Sequence, residues 1–123
     1  MTDQPDPTRA EMVDEFQNMM AHAWMVRTFI KHCDEVDDFP ELMGIVRAVF
    51  DMSRAIDNKA DDPVTYFRFA TKKIGKLRKA VIQFRDDAWR ASTHTNFQQA
   101  VVSIEYATTR MESILEQMAN PTS

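Results

Sequence analysis

Glycine is nearly missing from this chain of 123 residues: there are two, with five prolines. A sandwich or barrel needs a turn roughly every 8–12 residues, written mostly in Gly, Pro, Asn and Asp. Such turns are lacking over long stretches, which excludes an all-β fold, and a glycine-rich phosphate cradle is excluded with it. Cysteine is missing except for Cys33, so no internal disulfide framework exists and a reducing cytoplasm is the expected location. Long apolar runs are absent too. The richest stretch, residues 21–30, is interrupted by His22 and Arg27, well short of the ~18 consecutive apolar residues of a membrane span. The N-terminus carries Asp3, Pro5, Asp6 and Pro7 where an export signal needs a basic start and an apolar core. No membrane association is expected.

What the chain does have is apolar residues at helical spacing. Thr8 and Glu11 show capping-box spacing and start a first helix near Arg9. Met12, Phe16, Met19, Ala23, Val26, Ile30 and Cys33 then alternate steps of four and three, which keeps them on one face. The acidic run after Cys33 is expected to be a polar connection, because acids are unfavourable at a helix C-terminus. The first helix is therefore expected to end near Asp34. Asp38, Pro40 and Glu41 predict the start of a second helix with a stripe of Leu42, Ile45, Val46, Val49, Met52 and Ile56. Asp62 followed by Pro63 predicts a third start, with Pro63 or Val64, Phe67, Ala70, Ile74, Leu77, Val81, Phe84 and Ala88 on one face. Thr95 with Gln98 predicts a fourth cap, ahead of Phe97, Val101, Ile104, Thr108, Met111, Leu115 and Met118. Asn120 and Pro121 are expected to end that helix.

Four amphipathic helices joined by short connections run antiparallel to their neighbours. The expectation is an all-α, up-down-up-down antiparallel four-helix bundle over residues 8–119. Residues 1–7 are expected to form a disordered or extended tail, and residues 120–123 a second tail. At about 1.5 Å per residue the second helix is much shorter than the first and third. Overhanging ends would expose Met12, Val13, Phe16, Phe84 and Trp89, and exposed apolar ends invite a second copy. These five are the candidate homodimer contacts; the alternative is that they cover one end of the chain's own core.

Metal and cofactor chemistry is not expected. No Glu precedes a His by three residues, no two histidines stand four apart, and the acidic run lacks the calcium-loop pattern. His22 is read as a structural histidine, buried or half-buried beside Trp24, in preference to a phospho-acceptor. The spacing of Arg27 and His32 is similar to the Arg-x-x-x-x-His element of one superfamily of helical-bundle ribonucleases. That resemblance implies His32 as a proton-transfer group and Arg27 as a stabiliser of phosphate charge. On one helix, residues five apart point about 140° from each other, so a shared cleft needs a further element. The alternative assignment has Arg27 paired with an acid and His32 at the helix end.

Charge supplies the strongest asymmetry. The net charge is −4, yet residues 63–85 hold seven bases and no acid. Arg68, Lys72, Lys76 and Lys79 lie along one flank of the third helix with Lys73 close by. In an antiparallel bundle Glu105, Glu112 and Glu116 come level with Lys79, Lys76 and Lys72, so the flank is expected either to pair internally or to meet an acidic protein. Trp24 and Met25 form a second candidate partner-binding patch among nine methionines. Gly75, inside the third helix, marks either a close helix approach or a glycine that the helix merely tolerates. The leading functional expectation is a non-enzymatic, cytoplasmic, homodimeric adaptor or regulatory module that acts through protein contacts. The alternative is a nucleic-acid-directed protein, binding through the basic helix or cleaving RNA through Arg27 and His32.

Overall fold

The computed structural model describes residues 8–119, all-helical with no strand among them. The two expected tails and the expected helix stop at Asn120 and Pro121 lie outside the described residues. Five α-helices follow in order: α1 (Arg9–Lys31), α2 (Glu35–Asp38), α3 (Met43–Ile56), α4 (Pro63–Ala91) and α5 (Thr95–Ala119). A 3-10 turn at Pro40–Leu42 leads into α3. No helix among the described residues is long and apolar enough to cross a membrane.

The starts of α1 and α4 follow their sequence signals. The Thr8 hydroxyl accepts from the Glu11 amide at 3.1 Å, and the Glu11 carboxylate accepts from the Thr8 amide at 2.7 Å, which closes the capping box. Asp62 accepts from the amide (3.3 Å) and the hydroxyl (2.8 Å) of Thr65, with Pro63 in the first turn, where a missing amide proton costs nothing.

Two other starts differ from expectation. The acidic run is a helical turn, α2, rather than a polar connection, because its carboxylates stand at a helix N-terminus, the favourable end of the dipole. Val36 and Phe39 also pack against the core there. Accordingly α1 stops earlier than Asp34, with His32 at its C-cap. The Asp38–Glu41 cap does not form: Phe39 precedes the 3-10 turn and no side chain caps it. At α5, the ring nitrogen Nδ1 of His94 accepts from the Asn96 amide at 3.0 Å. The imidazole thereby satisfies a first-turn amide, and the Gln98 side chain donates to the Thr93 carbonyl at 3.2 Å instead of joining the box expected with Thr95.

The stripes meet in a single core. Phe16 lies edge-on to Tyr66 and Phe67, with centroids 5.6 and 6.0 Å away, and Tyr66 and Phe67 stand at 89° to each other. Such edge-to-face pairs add about 0.5–1.5 kcal/mol each beyond area burial. Of the two alternatives for the first stripe position, Val64 is exposed and Pro63 half-buried, and Tyr66 takes the interior position. Tyr66 Oη is buried without a hydrogen-bond partner; the Gln17 side chain lies beside it without hydrogen-bonding geometry.

Antiparallel pairing shows in individual contacts. On α1 and α5, Phe29 meets Phe97 at 5.3 Å and Glu15 meets Arg110. On α4 and α5, Arg78 meets Glu112 and Arg85 meets Glu105.

The expected overhang does not occur. Met12, Val13, Phe16 and Phe84 are all buried within the chain, and of the five candidate dimer residues only Trp89 is exposed. The first turns of α4 close over the start of α1 through Tyr66 and Phe67. At the other end α2 and the 3-10 turn pack on α4, filling the space the short α3 leaves. Of the two readings of Gly75 the structure favours the tolerated glycine: it is exposed, and a Cβ there would meet nothing within 4 Å, so no helix approaches closely.

Candidate interaction surface

The basic flank of α4 is solvent-facing. Arg68, Lys72, Lys76 and Lys79 are exposed and Lys73 is half-buried. None of the expected lysine–glutamate pairs forms. All three ion pairs among the described residues use arginine. Arg78 grips Glu112 through Nη2 (2.6 Å) and Nε (3.1 Å), and its Nη2 also donates to the Thr109 hydroxyl at 3.0 Å. Arg85 Nη1 donates to both Glu105 oxygens, at 3.0 and 2.8 Å. Glu112 lies two residues from its expected level, opposite Arg78, whereas Glu105 lies six residues along α4 from its expected level, opposite Arg85; at each level the angle decides the partner. Arg78 and Arg85 stand seven apart on the edge facing α5, whereas Lys79 and Lys76 lie about 100° and about 160° round the helix from Arg78, both in the same direction and so on one flank. The Glu112 contact holds the Arg78 guanidinium above its ordinary pKa.

At one end of the flank Phe69 is crowded by cations. Lys59 Nζ is 4.8 Å from the ring centroid, Lys72 Nζ 5.0 Å and Arg68 Cζ 5.4 Å. Sequence reading missed this cluster, because Lys59 arrives from the α3–α4 connection. That connection turns at Asn58, whose positive φ of 61° is a conformation Asn tolerates better than most residues.

Trp24 and Met25 are both exposed, but they do not form one patch. Trp24 turns toward α3: the Arg27 guanidinium lies 4.1 Å over its ring and 5.7 Å from Phe50, with Arg54 5.9 Å from Phe50 on the same face. Met25 instead lines an apolar groove between α1 and α5 with Val26, Phe29, Gln99 and Ala100. His22 lines this groove too and is exposed, not the buried histidine expected.

Arg27 and His32 are not brought together. Arg27 is stacked on Trp24 and not paired with an acid, and its Nε is buried without a partner. His32 lines a polar groove of about 290 Å³ at the opposite edge, with Cys33, Asp34, Glu35 and His94. Spacing gave no signal that His32 and His94 would line one groove. The shared groove follows from the antiparallel closure of α1 on α5, set by Phe29 against Phe97. The Cys33 Sγ donates to the Ile30 carbonyl at 3.1 Å, and burial pushes its thiol above the usual range, so it is held as a thiol rather than as a nucleophilic thiolate. Among the described residues no three His, Cys, Asp or Glu side chains form a group able to hold a metal ion.

Comparison of this chain with protein-family models, with curated proteins and with solved structures finds no match.

Proposed function

We propose that the four long helices form an up-down-up-down antiparallel bundle acting as a non-enzymatic adaptor or regulatory module in the cytoplasm, as a homodimer, with the lysine flank of α4 taking an acidic surface of a partner protein. The observation that carries this reading is the division of labour among the cations. Arg78 and Arg85 take Glu112 and Glu105, leaving Lys72, Lys76 and Lys79 exposed and outside every ion pair among the described residues. Exposed ammonium groups along one helix attract a complementary acidic face and raise its association rate. An acidic protein suits the flank better than a nucleic acid because Phe69 is crowded by three cations and offers no bare ring for a base to stack on.

A direct test titrates the protein with an oligoglutamate peptide and, separately, with RNA and DNA, at low and high salt. Salt-sensitive binding of the peptide, lost in the Lys72→Glu/Lys76→Glu/Lys79→Glu variant at unchanged helicity, is the expected result. Peptide binding that survives the reversal, or salt-sensitive capture of RNA or DNA without capture of the peptide, overturns the reading.

A further inference from the structure

The outward side of α5 is an uncharged ridge. Thr95, Gln99, Val102, Tyr106, Thr109 and Ser113 are all exposed, Val102 at 58% and Tyr106 at 65%. They recur in steps of four, three, four, three and four, the spacing of a coiled-coil seam, over about 27 Å at 1.5 Å per residue. The same helix already buries a complete stripe inward through Phe97, Val101, Ile104, Thr108, Met111 and Leu115, so this second stripe is not needed for the chain's own core.

No ridge position is itself charged, and neighbouring guanidinium groups reach the ridge at one end, where Arg78 donates to the Thr109 hydroxyl at 3.0 Å and Arg110 to the Ser113 hydroxyl at 3.3 Å. The three charged residues between Thr95 and Leu115 are all turned sideways into ion pairs: Glu105 to Arg85, Glu112 to Arg78, and Arg110 to Glu15. The first two border the ridge on the α4 side and the third on the α1 side. The result is a neutral centre with a rim of paired charges, and depletion of charge at the centre of a patch is the compositional mark of a protein interface. On the α4 side Val102 and the exposed Trp89 line a shallow pocket of about 200 Å³ with Val101 and Gln98. On the α1 side lies the apolar groove of Met25 and Phe29, about 300 Å³.

We infer that this ridge is the contact between two copies of the chain, with α5 packed antiparallel on α5 of the partner copy. The inference rests on the homodimer reading above and places the contact. The ridge is self-complementary about a two-fold axis at the level of Ile104: Val102 comes opposite Tyr106 of the second copy, Gln99 opposite Thr109 and Thr95 opposite Ser113. Every position on the ridge thus meets another position on it, as an isologous contact requires. The apolar pair falls at the centre and the hydroxyl and amide pairs toward the ends. Each copy offers a ridge between two grooves, the surface that left-handed helix packing near 20° interdigitates. An occupant charged at its centre finds no counter-charge here, since Glu105 and Arg110, the charges that flank Val102 and Tyr106, are already paired within the chain.

The test is the mass of the intact protein by sedimentation equilibrium over a wide concentration range. Wild type is expected to approach twice its 14.3 kDa. The Val102→Glu/Tyr106→Glu variant is expected to dissociate at concentrations at least about tenfold higher than wild type, with unchanged helicity because both side chains are exposed. In a Cys33→Ser background, Val102→Cys with Tyr106→Cys is expected to form a covalent dimer on oxidation, and either cysteine alone far less. A wild type of 14.3 kDa at every concentration overturns the homodimer reading and this contact together. A wild-type dimer that the Glu variant leaves intact overturns the α5 contact alone.

Discussion

Arg78 and Glu112 face each other across α4 and α5 as a fork on a carboxylate, with Nη2 at 2.6 Å and Nε at 3.1 Å. A guanidinium presents two parallel donors where an ammonium presents a point charge. The pair therefore sets the register of the two helices and leaves neighbouring Lys76 and Lys79 outward.

Because both partners are partly exposed, the pair is worth no more than about 1 kcal/mol. Arg78→Ala is expected to lower stability by about 0.5–1 kcal/mol in urea denaturation, and Lys76→Ala to stay within about 0.5 kcal/mol of wild type. Equal losses for the two variants would contradict this assignment of partners.

The buried Tyr66 hydroxyl makes two outcomes checkable. Removing an unpartnered buried polar group is neutral or stabilising, so Tyr66→Phe is expected to match or exceed wild type by up to about 1 kcal/mol. Burial pushes the hydroxyl well above its ordinary value of 10. Above pH 10 the unfolded chain loses this proton while the folded chain keeps it, so this group's contribution is intact below that pH and declines as pH rises past it. Tyr66→Phe is expected to show a shallower alkaline loss in thermal melts recorded from pH 9 upward.

At the acidic end the sign reverses. The Arg110 guanidinium holds the Glu15 carboxyl below its ordinary value of 4.5, so the contribution is present above that pH and is lost as pH falls through and below it. Glu15→Gln is expected to cost no more than about 1 kcal/mol at neutral pH and to flatten the acid limb of the stability profile, as read by circular dichroism.

Gly75 lies in the interior of α4 with open space where a Cβ would stand. Gly75→Ala is therefore expected to raise stability by about 0.5–1 kcal/mol through the lower entropy of the unfolded chain. Calorimetry giving a lower melting temperature would mean that a neighbour approaches α4 there after all.

The helices were legible in the linear chain because their signals are local. Thr8 with Glu11, and Asp62 with Pro63, act within one turn, and the step pattern of Leu42 to Ile56 needs no distant partner to declare a buried face. The basic flank was visible as well, since seven bases without an acid stand out in any reading of residues 63–85. Tertiary structure decided who meets whom. Both the level of one helix along its neighbour, six residues off for Glu105, and the direction of a side chain around its helix depend on how the helices pack. For that reason Glu105 and Glu112 went to arginines instead of lysines, Trp24 and Met25 parted to different sides of α1, and His32 and His94 came to line one groove. Phe16 and Phe84, expected at exposed ends, were buried because α2 and the first turns of α4 close over ends that helix lengths alone would leave open.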